Sequence, residues 1–424
     1  TTRVSTTIVS TTASEQPPAP PFFPIVGIGA SAGGLQAVKR LLEHLPTTTG
    51  MAYVVVQHLD PTHDSILPSL LTHATKMPTC AVEDQMVVEA NRVYVIPPNT
   101  DMTITQGVFT LLPRTQTDGQ HLSIDTFFRS LAHDRKHQAI GVLLSGTGSD
   151  GSLGLQEIKA AGGTTFAQDE GSAAFPQMPH NAIAFGSVDL VLLPEEIASE
   201  LTKLSSHPYL AHANSQEPQA LPATDEQAFT KILLTLSRAT GVDFLAYKPT
   251  TLQRRIFRRM VVLQIKQLAD YTAYLQDHPT EVETLYQEVL INMTSFFRDA
   301  PTFDMLKHLV FPELLKYHVS EEPIRIWVVG CSSGEEVYSL AICLLEFLEE
   351  QSHIFPIQLF ATDIDAVVLE KARAGIYSTS TLRGISPQRL ERFFLPTNVA
   401  GESYQVCKSL RERCVFAPHN VAKD

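Results

Sequence analysis

Cysteine pairs, long apolar runs and an excess of basic charge are all missing from this sequence. The five cysteines, Cys80, Cys331, Cys343, Cys407 and Cys414, are scattered with no C-x-x-C spacing. That excludes a disulfide framework and the usual zinc patterns, so no metal is expected, and reduced thiols in a cytoplasmic setting are the simplest reading. No apolar run reaches the length that spans a bilayer, so no membrane insertion is expected. With 32 Lys+Arg against 45 Asp+Glu the formal net charge is −13, which argues against a dedicated nucleic-acid binder. The opening TTRVSTTIVSTTASEQPPAPP is too polar for a signal peptide and reads as a disordered tail over residues 1–23. The chain starts on Thr1 and closes on HNVAKD without an ending signal, which reads as a fragment.

What is present is an ordinary globular composition, 44% hydrophobic and 18% charged, over 424 residues. That length supports two or three domains, each with its own core. From Ile25 to about Leu204 apolar strands alternate with amphipathic helices, which favours a parallel sheet covered on both faces, a doubly wound α/β domain over residues 24–205. IVGIG, AYVVVQ, RVYVIP and AIGVLLSG read as strands, Ser31 to Leu45 as a helix, and MTITQGVFTLL as a hairpin turning at Gln106-Gly107. Residues 206–225 are polar, proline-containing and aperiodic, a linker. Residues 226–300 read as a small helical domain, and the helical pattern continues to about residue 316. Residues 301–424 then carry a second, partial Rossmann-like unit: strand IRIWVVG, a helix to about Glu350, strand IQLFAT, and a helix from about Asp365.

The stretch GIGASAGG fits two templates. Gly27, Gly29 and Ala32 give a dinucleotide fingerprint; Gly29, Ser31 and Gly33 give a nucleophile elbow. Ligands of open α/β sheets bind beyond the carboxyl ends of the strands. Ser31 stands after the first strand, His58 after the second, and Asp150 after a later one, in VLLSGTGSDG. A serine hydroxyl becomes a nucleophile when a histidine takes its proton, and the histidine is oriented by a carboxylate. Backbone N–H groups of the following helix and of Gly146-Thr147-Gly148 are candidates to stabilise an oxyanion. Each residue also has a plain reading: Ser31 as a helix N-cap, His58 as one of 15 histidines, Asp150 as turn chemistry between glycines. The dinucleotide template lacks its acidic partner, since Gln57 and His58 stand where the ribose-binding carboxylate belongs.

At these residues a resemblance is specific. GIGASAGGLQAV, VVVQHLDP, IDTFFRSLA, GVLLSGTGSDGSLGL and AQDEGSAAFPQMPHNAI resemble, in this order, the catalytic domain of the chemotaxis protein-glutamate methylesterase family, CheB. The resemblance implies Ser31 as nucleophile, His58 as base and Asp150 as its orienting partner. It implies hydrolysis of glutamate methyl esters on chemoreceptors, with glutamine deamidation as a related reaction and no cofactor. Ala32 and Thr147 depart from the Thr and Met that the family often has there. No receiver domain stands ahead of residue 24, so control by phosphorylation in cis is not expected.

RIWVVGCSSGEEVYSLAI reads as strand, glycine turn and helix. Glu335 and Glu336 at the helix start would repel a phosphate, which favours a cationic or zwitterionic ligand such as S-adenosylmethionine. Asp363 ends the next strand, where a carboxylate can accept ribose hydroxyls; an acidic helix cap on a surface turn is the plain alternative. Ahead of this unit, Arg254, Arg255, Arg258 and Arg259 share one helical face, opposite Leu252, Ile256, Met260 and Leu263. That face is either solvated or docks on an acidic partner helix. TTLQRRIFRRM, MTSFFRD, GCSSGEE and ATDID resemble the chemotaxis receptor methyltransferase family, CheR. By matching position, the resemblance implies that Thr294, Ser295, Arg298, Glu335, Asp363 and Asn420 contact S-adenosylmethionine or the reacting group. Together the two resemblances imply a CheB–CheR fusion acting on the cytoplasmic helices of methyl-accepting chemoreceptors. The family fold continues beyond Asp424, so an open sheet and impaired methyl transfer are expected. A non-catalytic receptor-binding scaffold is the alternative class.

Overall fold

The fold is described from a computed structural model. It describes residues 23–57, 66–114, 122–211, 223–290, 294–316, 322–351, 355–379, 381–382, 385–397, 403–421 and 423. The chain divides into two compact units, one built on the residues up to Glu217 with Val261–Lys266, the other on Pro218–Met260 with Gln267–Asp424.

The first unit opens with β1 (Ile25–Ala30), α1 (Gly34–Glu43), β2 (Ala52–Gln57), α2 (Leu67–Thr72), β3 (Thr79–Ala81) and β4 (Val93–Val95). A hairpin, β5 (Thr100–Thr105) and β6 (Val108–Pro113), turns at Gln106-Gly107, both with positive φ as a tight hairpin turn requires. Then follow α3 (Ser123–Arg135), β7 (Ala139–Leu143), α4 (Ser152–Ala160), β8 (Thr164–Gln168), α5 (Gln177–Ala184), β9 (Leu190–Leu192), α6 (Pro194–Ser205) and the short α7 (Pro208–Ala211). Seven strands form one all-parallel sheet in the order β3-β4-β2-β1-β7-β8-β9.

Every residue of β1 is buried, as expected of a parallel strand covered on both faces. Val26, Ile28 and Ala30 pack with Val38, Leu41 and Leu42 of α1 and Ile197 and Leu201 of α6. Ile25 faces the other way, in a core with Phe127, Phe128 and Leu131 of α3 and Leu155 of α4. On that second face β1 carries Gly27 and Gly29. A Cβ on Gly29 would lie 2.5 Å from Ile124 and 2.9 Å from Leu143, and one on Gly27 would lie 2.8 Å from Phe128. The two glycines are the condition for α3 to lie directly on the strand. They serve helix packing and do not bring a backbone up to a pyrophosphate.

The second unit begins with helices α8 (Ala223–Thr240), α9 (Pro249–Val262), α10 (Leu268–Asp277), α11 (Pro279–Val289), α12 (Ala300–Met305) and α13 (Phe311–Lys316). It continues through β10 (Ile324–Val329), α14 (Glu335–Glu350), β11 (Ile357–Asp363), α15 (Ala366–Ala374), β12 (Ile376–Ser378), α16 (Pro387–Phe393), β13 (Phe394–Pro396), β14 (Ser403–Val406), α17 (Lys408–Arg411) and β15 (Cys414–Pro418). Strands β10, β11 and β15 form a parallel sheet in that order, and β12, β14 and β13 a small antiparallel one. One face of the parallel sheet is buried: Ile324, Val328, Leu359, Ala361 and Phe416 pack with Val337, Ala341 and Leu344 of α14. The other presents Trp327, Phe360 and Val415 in register across the three strands, and Trp327 is 57% exposed.

The first-unit packing yields a stability prediction. Gly29→Ala should cost about 2 kcal/mol, the usual penalty for overpacking a filled core, read as a lowered urea midpoint with an unchanged slope. A wild-type midpoint would mean that α3 does not depend on this contact.

Candidate active sites

Three neighbouring parallel strands set the first site. In register, Ala30 of β1 lies beside Gln57 of β2, and Gly29 beside Leu143 of β7. The chain therefore leaves these strand ends on one rim, with neighbouring strands about 4.8 Å apart. Connections run from β1 toward β2 on one side and return to β7 on the other, so this rim is a switch point of the sheet. Ser31 is the first residue after β1. His58 follows β2 directly in sequence and lies outside the described residues. Asp150 closes the loop between β7 and α4.

The expected helix from Ser31 starts later, at Gly34. Gly33 is its N-cap, with φ +71, a left-handed conformation that no helix can include, and no side chain caps the first turn. Ser31 therefore sits in a tight turn and is not the N-cap: its N–H donates to the Ser145 carbonyl at 3.0 Å, and its carbonyl accepts from Gly34 N–H at 2.9 Å. Asp150, only 4% exposed, does more than local turn chemistry. Its Oδ2 accepts from Ile124 N–H at 3.0 Å and its Oδ1 from Asp125 N–H at 2.9 Å. The carboxylate thus caps α3 from a distant loop, where the helix dipole favours its charge.

Two residues that the sequence reading did not single out hold the Ser31 turn. Ser145 Oγ donates to the Ala32 carbonyl at 2.9 Å and accepts from Phe175 N–H at 3.0 Å. Ser145 N–H donates to Oε1 of the buried Gln168 at 2.9 Å. The long polar side chain that closes the strand TTFAQ was the available signal. The glycine amides expected to face an oxyanion need correction. Gly146 N–H donates to the Phe175 carbonyl at 2.9 Å and Gly148 N–H to Gln177 Oε1 at 3.1 Å.

The second site is arranged in the same way. Glu335 opens α14 after β10, Asp363 ends β11, and Asn420 follows β15, so the three parallel strands carry these residues to one rim. Asp363 accepts from Ser332 N–H at 2.8 Å (Oδ2) and from Asp365 N–H at 2.9 Å (Oδ1). Glu335 accepts from Ser333 Oγ at 2.7 Å, and burial pushes its carboxyl above the usual range while that hydroxyl pulls it back. Thr294, Ser295 and Arg298 lie in the turn before α12. Phe297 in that turn has φ +50, a strained conformation for an aromatic residue. Its N–H donates to Ser339 Oγ at 3.0 Å, and Ser339 Oγ donates to the Glu335 carbonyl at 2.7 Å. Arg389, bidentate on Glu346 at 2.8 and 2.7 Å, lies 4.1 Å from the Phe297 ring centroid. Ser339, Arg389 and Glu346 left no signal in the sequence.

These residues fit a small zwitterionic cofactor. Each Asp363 oxygen has a second acceptor site. A Cβ on Gly330 would meet nothing within 4 Å, which leaves open space at the turn. The buried Ser332 hydroxyl has no hydrogen-bond partner among the described residues.

The arginine face of α9 is not a docking surface. Arg255, Arg258 and Arg259 are buried. Arg259 makes a bidentate pair with Glu281 of α11, at 2.9 and 2.8 Å, and Tyr271 Oη donates to the same carboxylate at 2.8 Å. Arg258 pairs with Glu288. The Arg258 and Arg259 charges are paired inside the helical bundle, and Arg254 donates to its own helix through the Thr250 carbonyl. Among the described residues no group of His, Cys, Asp and Glu is placed to hold a metal ion, and no helix is long and apolar enough to cross a membrane.

Comparison with known families matches residues 26–201 to the CheB methylesterase family. Residues 227–290 match the all-alpha domain, and 292–424 the SAM binding domain, of CheR methyltransferase. Over 186 residues, 44% of this chain and 96% of the relative, the sequence is 33% identical to a putative protein-glutamate methylesterase/protein-glutamine glutaminase of Leptospira interrogans. Over 214 residues, 49% of this chain and 70% of the relative, it is 33% identical to a chemotaxis protein methyltransferase of Klebsiella aerogenes. An uncharacterized 104.1 kDa protein of Rhodobacter capsulatus is 36% identical over 378 residues, 84% of this chain, and the chain spans 39% of that relative's length.

The Glu335 environment predicts a pH dependence. Its folded-state proton is held more tightly than in the unfolded chain, so ionisation costs stability as pH rises above the ordinary value of 4.5. Glu335→Gln keeps the acceptor for Ser333 and removes that cost. The melting temperature of the variant minus that of the wild type should therefore grow from about pH 4 to about pH 8. A difference independent of pH would contradict burial as the cause.

Proposed function

The chain belongs to the CheB methylesterase family through residues 26–201 and to the CheR methyltransferase family through residues 227–290 and 292–424, and from that membership we propose that it both removes and adds methyl groups on chemoreceptor glutamates. The observation that carries the esterase half is the position of β1 between β2 and β7, with the Asp150 carboxylate fixed on the N-terminus of α3.

In the esterase reaction the Ser31 hydroxyl attacks the ester carbonyl carbon while His58 takes its proton. The tetrahedral intermediate expels methoxide, which leaves as methanol with the proton from His58. Water then attacks the acyl-serine by the same proton route and frees the glutamate carboxylate. Asp150 orients the imidazole and stabilises its charged form. A carboxylate has about four acceptor sites, so capping α3 and orienting His58 are compatible. Glutamine side-chain amides would be hydrolysed by the same steps, with ammonia leaving.

When bound to the second unit, S-adenosylmethionine supplies an electrophilic methyl group on a positively charged sulfur. Asp363 accepts hydroxyl hydrogen bonds from the ligand, and Glu335 and the acidic start of α14 favour its positive charge. Asn420 binds at the neighbouring strand end. Thr294, Ser295 and Arg298 hold the ligand and the attacking glutamate in line, since displacement at a methyl sulfonium needs alignment more than a base. The substrate helices of methyl-accepting receptors are the proposed partner, and the cytoplasm the proposed compartment.

Incubation with methylated receptor membranes should release methanol, and Ser31→Ala should abolish it. Transfer of a labelled methyl group to unmethylated membranes should fall by at least about tenfold in Asp363→Ala, as expected when a cofactor-orienting carboxylate is lost. Methanol release by Ser31→Ala at the wild-type rate would contradict the first assignment. Unaltered transfer by Asp363→Ala would contradict the second.

A further inference from the structure

Thr147 lies between two glycines whose backbone groups are both fastened. Gly146 N–H donates to the Phe175 carbonyl at 2.9 Å, and its carbonyl accepts from Met178 N–H at 3.0 Å. Gly148 N–H donates to Gln177 Oε1 at 3.1 Å, and its carbonyl accepts from Asn181 Nδ2 at 2.7 Å. The first fastening is made by backbone alone. The second depends on two side chains, Gln177 at the start of α5 and Asn181 one turn on. Packing does not hold Gly148, since a Cβ there would meet nothing within 4 Å and its φ is +80.

The loop borders the candidate nucleophile. A Cβ on Gly146 would come within 2.9 Å of Ser31 Cβ, and Ser31 N–H already donates to the Ser145 carbonyl. Thr147 is exposed, and its N–H has no acceptor among the described residues. An amide fixed on both sides and aimed at no protein acceptor is preorganised for charge that develops during reaction. The geometry points to Gln177 and Asn181 as positioning residues that fasten Gly148 and so hold the Thr147 amide toward the oxyanion formed at Ser31. This rests on the esterase reading above. Neither side chain touches the reacting atoms; both act through the backbone of Gly148.

The two residues use opposite hydrogen-bond polarity, and that separates positioning from a general structural role. Gln177 accepts, so Gln177→Glu keeps the bond whereas Gln177→Ala loses it. Asn181 donates, so Asn181→Asp places a carboxylate against the Gly148 carbonyl and breaks the bond. Both acidic variants add one negative charge to the same short segment, so the effect of charge cancels in their comparison. On methylated receptor membranes, Asn181→Asp and Gln177→Ala should lower kcat about tenfold at unchanged KM. That is a part of the hundred- to thousandfold lost when an oxyanion donor is deleted outright. Gln177→Glu should restore most of what Gln177→Ala loses. Equal kcat in Gln177→Glu and Asn181→Asp, or a change confined to KM, would overturn the assignment. If the wild-type chain releases no methanol, the esterase reading fails separately. Amide exchange then judges the fastening: slower exchange at Gly148 in wild type than in Gln177→Ala upholds it, and equal exchange removes it.

Discussion

The close seat of α3 on β1 is the contact on which the first unit depends. Side chains at Gly27 and Gly29 would push the helix off the strand, and with it the N–H groups of Ile124 and Asp125 that receive the Asp150 carboxylate. The hydrophobic packing of Ile124 and Phe128 and the polar capping by Asp150 therefore support one another. Because β1 is paired in parallel on both sides, the same arrangement brings Ser31 and the ends of β2 and β7 to one rim. The candidate chemistry follows from packing that is otherwise ordinary.

The second unit repeats the device with three strands and adds buried charge. Backbone N–H groups hold the Asp363 carboxylate, while α11 glutamates hold the arginines of α9. A buried ion pair such as Arg259 with Glu281 is weak evidence for stability, since desolvation offsets much of its attraction; breaking one partner is what costs. The turn carrying Thr294, Ser295 and Arg298 is strained at Phe297 and held by Ser339 and the Arg389 stack. Strained backbone at a site persists only where its surroundings fix it.

Strand and helix periodicity made the sheet legible, since buried parallel strands such as AYVVVQ and amphipathic α1 have distinct patterns. The turn at Gln106-Gly107 was legible from residue type alone. The helix start was misplaced by three residues because the left-handed Gly33 cannot be distinguished in sequence from any other glycine. The arginine face of α9 was misassigned for a different reason. Periodicity shows that charges share a face, but it does not show that Glu281 and Glu288 on another helix will cover it. Ser145, Gln168, Gln177 and Asn181 stayed hidden because they act through backbone groups distant in sequence. The antiparallel strands β12 to β14 are too short to stand out from their surroundings.

The central claim is that Ser31 carries an activated hydroxyl. A fluorophosphonate that reacts only with activated serines, followed by mass spectrometry of the peptides, tests this without a receptor. The account predicts an adduct on Ser31 in the wild-type chain, and its loss in a folded His58→Ala variant. An unmodified Ser31, or modification that persists undiminished without the imidazole, would contradict it.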